Sequence, residues 1–324
     1  MRAAMAAAEV GDDVYQEDPT IAELEARTAA LLGHEAGLYV PSGTMSNLLG
    51  IWLDAQRGQE VLCDEAAHIV RAEHGSHAAL HGITTRTWSS GGTGVASADV
   101  IAALIAPPAG FLVQTGAVEI ENTHNFGGGT VQPYDTLVAI NQVCRAAGVN
   151  MHLDGARLWN AHVATGVALD AYGKLFDTVS ICYSKGLGAP VGSVLVGHKD
   201  AIARARLQRK ALGGSMRQAG IMAAGCLYAL DHNVQRLADD HAAATAMASE
   251  VRERAPHALG AMPQTNIVVL STGDRSSGQI VEAAAKQGVK ISGVGPHTVR
   301  AVTHLDVTID QCREAGRALG SILA

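Results

Sequence analysis

The chain has 324 residues, of which 48% are hydrophobic and 17% are charged, so it can bury a large core and we expect two domains. Its formal net charge of −7, from 24 basic and 31 acidic side chains, argues against general attraction to nucleic acid or to an anionic membrane surface. The five cysteines are widely spaced and odd in number, which argues against a disulfide framework or a cysteine metal site and favours a reducing cytoplasm. The apolar stretch at 1–8 is typical of a helix fragment rather than a signal peptide, and no later stretch is long enough to span a bilayer.

Short apolar strands alternate with helical segments over the first two thirds of the chain, a pattern that predicts an open, mainly parallel α/β sheet. The predicted strands of this part are 37–40, 61–64, 83–87, 118–121, 151–153, 178–183 and 193–196. The spacing of apolar residues predicts helices at 20–32, 45–53 and 98–105. The glycine-rich segment 89–94 is interpreted as a surface loop, and the basic run 204–210 as a solvated helix face.

Beyond a helical stretch at 221–231, the pattern changes to that of a smaller α+β unit. Its predicted elements are a long helix at 241–254, strands at 266–270, 289–291 and 298–303, and a closing helix at 309–323. We therefore divide the chain into an N-terminal arm remnant at 1–15, a large α/β domain at 16–235 and a small C-terminal α+β domain at 236–324.

An amine and a carboxylate follow two predicted strands, at the end of an α/β sheet where ligands bind. Lys185 precedes a glycine-rich turn at 186–190, and we expect it to be buried, because burial lowers the pKa of an amine that must attack a carbonyl. Asp154 closes a buried strand, so its carboxylate needs a cationic partner or hydrogen-bond donors. Pyridoxal phosphate needs both groups, an amine at its aldehyde and an anion at its ring nitrogen. Two alternatives remain, a structural lysine that extends to solvent and an Asp154–Arg157 pair across one turn.

Two further features could bind anionic groups. Ser42, Gly43 and Thr44 follow the strand 37–40 and open a helix, whose N-terminal N–H groups suit a phosphate. Serine and threonine are also ordinary helix caps, so this motif alone does not separate the two interpretations. Arg300 lies inside an apolar strand of the small domain, either as a paired core charge or as a bidentate clamp for a substrate carboxylate.

Histidines are numerous, at 14, so most must be incidental. His68 and His124 follow predicted strands at the ligand end of the sheet, where either could stack on an aromatic ring or move a proton near neutral pH. His74, His77 and His81 have the spacing of a metal-binding helix face, but no cysteine or carboxylate completes a ligand set. No metal site is predicted.

Several short motifs follow one another in order over nearly the whole chain. They are VGDDVY at 10–15, SGTMSN at 42–47, ENTHN at 121–125, HLDGAR at 152–157, SKGLGAPVGS at 184–193, RK at 209–210 with GGSMRQ at 213–218, and VTHLDV at 302–307. This ordered set resembles the low-specificity L-threonine aldolases (L-allo-threonine aldolases), pyridoxal-phosphate enzymes of the aspartate aminotransferase fold, fold type I. The resemblance implies a large domain with a mainly parallel sheet and helices on both faces, and a small C-terminal α+β domain. It also implies reversible retro-aldol cleavage of L-threonine, L-allo-threonine and related L-β-hydroxy-α-amino acids to glycine and an aldehyde.

The resemblance implies roles for individual residues. Those that would bind pyridoxal 5'-phosphate are Ser42, Gly43, Thr44, His68, Asp154, Arg157 and Lys185, with Lys210 and Arg217 reaching the cofactor phosphate of a neighbouring subunit. Those that would bind the substrate are Tyr15, His124, Arg157 and Arg300. Lys185 would hold the cofactor covalently, and His68 would stack on its ring. His68 or His124, directly or through water, would take the proton of the β-hydroxyl. Active sites shared in this way imply a homotetramer built as a dimer of dimers.

The N-terminus departs from the pattern of the family. Members usually begin with an arm that carries a Leu-Arg-Ser-Asp-Thr-like motif, whereas this chain begins inside the helix that follows it. We therefore expect weaker substrate binding and a weaker subunit interface. Two alternatives to threonine cleavage remain: β-elimination or transamination on the same fold, and a cofactor-binding oligomer with impaired activity.

Overall fold

Two β-sheets organise the structure, a computed structural model that describes residues 1–108 and 111–324. Within these ranges, the larger sheet has seven strands in the order β1-β7-β6-β5-β4-β2-β3, and the smaller has three in the order β8-β10-β9. The strands are β1 Ala36–Val40, β2 Glu60–Asp64, β3 Thr84–Trp88, β4 Thr115–Glu121, β5 Asn150–Gly155, β6 Thr178–Cys182, β7 Ser193–Gly197, β8 Ile267–Ser271, β9 Ser292–Gly295 and β10 Thr298–Val302. The predicted mainly parallel sheet is confirmed, since only β7 runs against its neighbours among the described strands of the larger sheet.

Helices cover both faces of the larger sheet, and others pack with the smaller sheet. The helices of the described residues are α1 Arg2–Ala6, α2 Pro19–Leu32, α3 Gly43–Asp54, α4 His68–Arg71, α5 Ser76–His81, α6 Ala98–Leu104, α7 Tyr134–Ala147, α8 Leu158–Thr165, α9 Leu169–Gly173, α10 Lys199–Ala211, α11 Gly220–His232, α12 Leu237–Arg254, α13 Ser277–Lys286 and α14 Ile309–Leu323. Because side chains alternate along a strand, Leu38 and Val40 of β1 pack with α3 and α10, while Tyr39 joins the core on the other face. The helix α3 lies across β5, β6 and β7, and this places it under the predicted site.

The smaller sheet has a core of its own. Buried residues of α12, β8, α13, β10 and α14 form it, together with segments between them, from Ala243 to Leu323. The division of the chain near residue 235 stays a prediction. The strand predicted at 289–291 is wrong, because β9 begins only at Ser292. Val289 and Ile291 are apolar because they pack against the small core as the chain leaves α13, and not because they belong to a strand.

The basic run at 204–210 lies in α10, as predicted, but it is not wholly a solvated face. Arg209 is only 1% exposed, and its guanidinium donates hydrogen bonds to Asp13 Oδ2 at 2.7 Å and to the Tyr39 carbonyl at 2.6 Å. Composition could not reveal this, because the partners come from the N-terminus and from β1. The run therefore joins three parts of the chain.

All five cysteines are free and buried. In the described part of the chain, no helix is both long enough and apolar enough to cross a bilayer. The helix α7 was not predicted, although Leu137, Ile140 and Cys144 bury one side of it at the spacing of a helix.

Candidate active site

The carboxyl ends of β4, β5 and β6 lie side by side and bring polar residues to one edge of the larger sheet. Glu121 of β4 is opposite Asp154 of β5, and Asp154 is opposite Ser180 of β6. The chain after β6 leads to Lys185, and the chain after β2 leads to His68 at the start of α4. Both cationic side chains are close enough to Asp154 to act on its charge. The structure therefore brings Lys185, Asp154 and His68 together.

Lys185 lies in the turn between β6 and β7. It is half-buried, so the prediction of a buried lysine is wrong, because β6 ends at Cys182 and the turn carries the chain out of the sheet. The glycines after it permit close packing: a Cβ at Gly186 would lie 2.7 Å from Leu237 Cδ2, and one at Gly188 would lie 2.6 Å from Leu305 Cδ2. The turn that carries Lys185 thus packs against residues of the C-terminal part of the chain.

Asp154 is a buried carboxylate, with an exposure of 1%. Its Oδ2 accepts an N–H of Asn47 at 2.8 Å, and its Oδ1 accepts the backbone N–H of Ala156 at 3.0 Å. Burial opposes the charged form, but the positive charges of Lys185 and His68 and these hydrogen bonds lower its pKa overall. Asp154 is therefore an anion with its charge balanced by neighbours, and the alternative of a simple Asp154–Arg157 pair is not what the contacts show.

His68 is held from two sides by carboxylates. Its Nδ1 lies 2.8 Å from Glu73 Oε1, and its backbone N–H donates to Glu121 Oε2 at 3.0 Å. The hydrogen bond with Glu73 raises the pKa of His68, burial opposes the rise, and the charge of Asp154 adds to it. Because Nδ1 is engaged by Glu73, Nε2 is the ring nitrogen left to interact with a ligand.

His124 is buried more deeply than expected for a residue that meets a substrate, with an exposure of 1%. Its Nδ1 accepts the backbone N–H of Gly127 at 3.0 Å, and its Nε2 lies 3.5 Å from Asp64 Oδ1. A Cβ at Gly94 would lie 2.4 Å from the imidazole Cγ, so the backbone covers the ring. Burial would lower the pKa of His124, but Asp64 and Glu121 raise it overall. His124 is at the edge of the site, enclosed by its own loop.

The start of α3 is the predicted anion-binding segment. Ser42 is the N-cap, and its Oγ accepts the N–H of Met45 at 3.2 Å, so the capping interpretation is confirmed. The N–H groups of Gly43 and Thr44 belong to the first helical turn, which has no carbonyl of its own helix to bond. A Cβ at Gly43 would lie 2.8 Å from Cys182 Sγ, so glycine lets the helix begin against the end of β6. The segment can thus cap a helix and still bind a phosphate.

Two arginines approach each other beside this edge. Arg300 of β10 is half-buried, and this burial is the main cause that lowers its pKa. The positive charge of Arg157 lowers the pKa further, while the negative charge of Glu121 opposes the change. Its guanidinium donates to Asn125 Oδ1 at 2.6 Å, a neutral amide. Within the described residues, neither Arg157 nor Arg300 forms an ion pair with a carboxylate. The interpretation of Arg300 as a paired core charge is therefore not supported, and the two guanidinium groups suit an anionic ligand.

Tyr15, Lys210 and Arg217 lie together on an exposed surface. The side chain of Arg217 is 59% exposed and forms an ion pair with Asp12 at 2.6 Å, Lys210 is near the same carboxylate, and Tyr15 is 67% exposed. These residues face outward, where a second subunit could meet them. Their predicted roles stay predictions.

Sequence reasoning missed several polar residues that hold the predicted ones in place. The side-chain Nδ2 of Asn47 donates hydrogen bonds to Asp154 at 2.8 Å and to Glu73 at 2.9 Å. The Oδ1 of Asn47 lies 3.2 Å from His152 Nε2. Asn47 follows the phosphate-binding segment by one helical turn, and a polar residue on the buried side of an apolar helix is the signal that could have identified it. Glu73 offered no such signal, because it lies in the turn between α4 and α5.

The site fits pyridoxal 5'-phosphate by the chemistry of its groups. A balanced but buried carboxylate at Asp154, an amine at Lys185 and the N–H groups of the first helical turn at Gly43 and Thr44 match the ring nitrogen, aldehyde and phosphate of that cofactor. Ligating atoms of His68, Glu73 and Asp154 also lie within 4.8 Å of one another. The amide of Asn47 already donates to Glu73 and Asp154, and His68 is hydrogen-bonded to Glu73, so these atoms have hydrogen-bond partners within the chain. His77 and His81 are structural instead, since His77 bonds Thr85 at 2.6 Å and His81 packs on Trp52.

The chain is similar to proteins of known family. Residues 1–274 match the beta-eliminating lyase family. The low specificity L-threonine aldolase of Escherichia coli (strain K12) is 39% identical over 324 residues, which are 100% of this chain and 95% of that protein. Low-specificity L-threonine aldolase 1 of Arabidopsis thaliana is 36% identical over 315 residues, covering 95% of this chain and 88% of that protein. The solved threonine aldolase of Leishmania major has the same fold, with a TM-score of 0.83 at 21% identity over 98% of this chain and 93% of that one.

Proposed function

The chain belongs to the low-specificity L-threonine aldolases of the beta-eliminating lyase family, and on this basis we propose how its residues divide the work of the reaction. It is a pyridoxal-phosphate-dependent carbon–carbon lyase that cleaves L-threonine, L-allo-threonine and related L-β-hydroxy-α-amino acids to glycine and an aldehyde. One observation carries the proposal for the residues. Lys185 and His68 lie close enough to the buried carboxylate of Asp154 to lower its pKa, although burial opposes this.

Three parts of the site would hold the cofactor. Lys185 would bond its aldehyde, and Asp154 would face its ring nitrogen and keep a proton there. Ser42, Gly43 and Thr44 would receive the phosphate at the start of α3, where the helix dipole favours a negative charge. When bound, pyridoxal 5'-phosphate supplies an aldehyde that condenses with an amine and a ring that accepts the electron pair released as the Cα–Cβ bond breaks.

His68 is the group that we assign to the proton of the β-hydroxyl, directly or through water. In its neutral form, Nδ1–H donates to Glu73 and Nε2 has a lone pair that can accept the hydroxyl proton. The Cα–Cβ bond then breaks, the aldehyde leaves, and a proton returned to Cα completes glycine. His124 is enclosed beneath Gly94 and is assigned a supporting place at the substrate end of the site. The half-buried ring of His68 would also pack against the cofactor.

The substrate carboxylate would be bound by Arg157 and Arg300. Arg300 already has one donor fixed by Asn125 at 2.6 Å, so its remaining N–H groups have a defined direction. A carboxylate between the two guanidinium groups would relieve their mutual repulsion. This contact would orient the amino acid without taking part in bond breaking.

The assembly that we propose is a homotetramer with shared active sites, located in the cytoplasm. The exposed cluster of Tyr15, Lys210 and Arg217 supports the first part, because exposed cations are suited to bind a phosphate of a neighbouring subunit. Five free cysteines support the second part.

Covalent trapping of the cofactor tests the proposal directly. The purified protein, loaded with pyridoxal 5'-phosphate, is reduced with borohydride and digested, and the modified peptide is identified by mass spectrometry. We expect the label on Lys185. The matched control is Lys174→Ala, which removes an exposed lysine paired with Asp170 at 2.6 Å and should leave labelling and activity unchanged.

Product analysis completes this test. Lys185→Ala should lose both the visible absorbance of the bound cofactor and acetaldehyde release from L-threonine. A label on another lysine, or full activity of Lys185→Ala, would overturn the assignment. The formation of 2-oxobutanoate in place of acetaldehyde would show β-elimination as the main reaction instead.

A further inference from the structure

A line of buried polar side chains runs from Asp154 into the interior, away from Lys185. Asn47 Nδ2 donates to Asp154 Oδ2 at 2.8 Å, and Asn47 Oδ1 lies 3.2 Å from His152 Nε2. His152 Nδ1 lies 2.7 Å from Thr178 Oγ1, which lies 2.6 Å from Asp54 Oδ2. All five residues are buried. Neither composition nor the predicted mechanism accounts for so many polar groups beneath an apolar helix.

The sheet and a glycine of α3 create this line. His152 and Asp154 lie on the same face of β5, and Thr178 of β6 is opposite His152 in the register. A Cβ at Gly50 would lie 2.3 Å from His152 Cε1 and 3.1 Å from Thr178 Oγ1. Only glycine at this position lets the imidazole fill the space between helix and sheet.

The hydrogen bonds of the line have one consistent direction. Burial lowers the pKa of His152 to about 4, so the ring is neutral and has one N–H. Asn47 uses its N–H groups on Asp154 and Glu73, so its oxygen must accept, and His152 must donate from Nε2. The imidazole Nδ1 then accepts from the Thr178 hydroxyl.

The far end of the line agrees with this direction. An ionised Asp54 would accept the Thr178 hydroxyl proton in a hydrogen bond. If that hydroxyl donates to His152 instead, its oxygen can accept a hydrogen bond from Asp54 only when the Asp54 carboxyl is protonated. Burial raises the pKa of Asp54 well above its usual range, the charge of Asp177 acts in the same sense, and the bond with Thr178 and the charge of Arg145 oppose it. A protonated Asp54 can donate. With Asp54 ionised, Thr178 would donate to Asp54, and a neutral His152 would donate to Thr178 from Nδ1. The lone pair on His152 Nε2 would then face the oxygen of Asn47, which is unfavourable.

We propose that Asn47 and His152 are positioning residues, which Thr178 and Asp54 orient so that the Asn47 amide holds the Asp154 carboxylate toward the ring nitrogen of the cofactor. This inference rests on the proposed place of Asp154 at that nitrogen. The same amide group donates to Glu73 at 2.9 Å, so it also orients the partner of His68. Both ends of the site would then depend on one buried asparagine.

Two substitutions on β6 separate this role from general packing. Thr178→Val removes one hydroxyl of the line and keeps the side-chain shape. The matched control is Ser180→Ala, because Ser180 is opposite Asp154 itself, yet its buried hydroxyl has no hydrogen-bond partner among the described residues. If the line positions Asp154, Thr178→Val should weaken cofactor binding more than Ser180→Ala, although Thr178 is farther from Asp154.

His152 offers a second pair of variants. The amide of His152→Gln can donate to Asn47 and accept from Thr178, whereas His152→Leu can do neither. The first measurement is the affinity of the apoprotein for pyridoxal 5'-phosphate, by fluorescence titration. We expect cofactor binding about tenfold weaker than in the wild type for Thr178→Val and His152→Leu, and within about threefold of the wild type for His152→Gln. A tenfold change corresponds to the lower end of what one hydrogen bond to a charged group, here Asn47 to Asp154, contributes.

The second measurement is the histidine tautomer in the 15N-labelled apoprotein, by NMR, where we expect His152 neutral with its proton on Nε2. A proton on Nδ1, or Thr178→Val with the same cofactor affinity as Ser180→Ala, would overturn the proposal. If His152→Leu does not fold, Thr178→Val and His152→Gln decide the question. A wild-type protein that binds no cofactor would refute the proposed function, while the tautomer would still test the line.

Discussion

Replacing Arg300 with glutamine tests how the substrate carboxylate is bound. Arg300 is half-buried, bonded to Asn125 at 2.6 Å and near a second guanidinium, that of Arg157. One charge-assisted hydrogen bond of this kind contributes about 1.5–3 kcal/mol, so its loss should weaken carboxylate binding about 10- to 150-fold. The loss should appear mainly in KM, because the carboxylate is bound equally before and during bond cleavage.

The assay compares two ligands that differ only in the carboxylate. Glycine and methylamine are titrated into the cofactor-loaded protein, and the change in visible absorbance gives each Kd. Wild-type protein should bind glycine much more tightly than methylamine. Arg300→Gln should lose most of this preference because its Kd for glycine rises while its Kd for methylamine stays the same. The matched control is Arg317→Gln, because Arg317 is an arginine of the same part of the chain that pairs with Glu250 at 3.1 Å on the surface.

The ratio of the two constants decides the matter. If Arg300→Gln keeps the wild-type preference for glycine, Arg300 does not bind the carboxylate, and the proximity of the two arginines has another cause. If both ligands weaken equally, the substitution disturbs the cofactor and not the carboxylate contact. Either result refutes the reasoning.

Three further outcomes are expected. Glu73→Gln removes the main cause that raises the pKa of His68, so the acidic limb of the kcat/KM profile should move to lower pH; an unmoved limb would exclude His68 as the base. Gly43→Ala places a Cβ 2.8 Å from a cysteine sulfur and should weaken cofactor binding about tenfold, whereas Gly260→Ala, in open space, should not; equal affinities would argue against the phosphate assignment. Burial raises the pKa of Glu119 well above its usual value of 4.5, so the folded protein keeps a proton that the unfolded chain releases, and stability falls as pH rises above that value. Glu119→Gln should remove up to about 1.4 kcal/mol per pH unit of this fall in urea unfolding of the apoprotein between pH 5 and 7, and identical slopes would show that Glu119 is ionised when folded.

The strand ends of the site were predictable because their signals are local. A buried strand shows as a run of apolar residues, and a charged residue at or shortly after its end stands out, as Asp154 and Lys185 do. Since parallel strands place their carboxyl ends at one edge, adjacency of the two could be expected without coordinates. The helix cap at Ser42 is local in the same way.

The partners of these residues were not predictable, because they come from distant parts of the chain. Asn47 meets Asp154 only because α3 crosses β5 and β6, and Arg300 meets Asn125 only because the smaller sheet packs beside the larger one. The depth of a side chain is also a tertiary property. Lys185 was expected to be buried and is half-buried, since the turn after β6 and its contacts decide the exposure.

The sequence by itself determined the α/β architecture, the order of the strand-end motifs and the chemistry of an amine, a carboxylate and a helix start. Those features depend on the periodicity of apolar residues and on turn residues that act over a few positions. Only the tertiary structure decided that Asn47, His152, Thr178 and Asp54 form one line behind Asp154, with Gly50 making room for it. Such a line requires close packing of a helix on two strands in one register, and that geometry is a property of the folded chain as a whole.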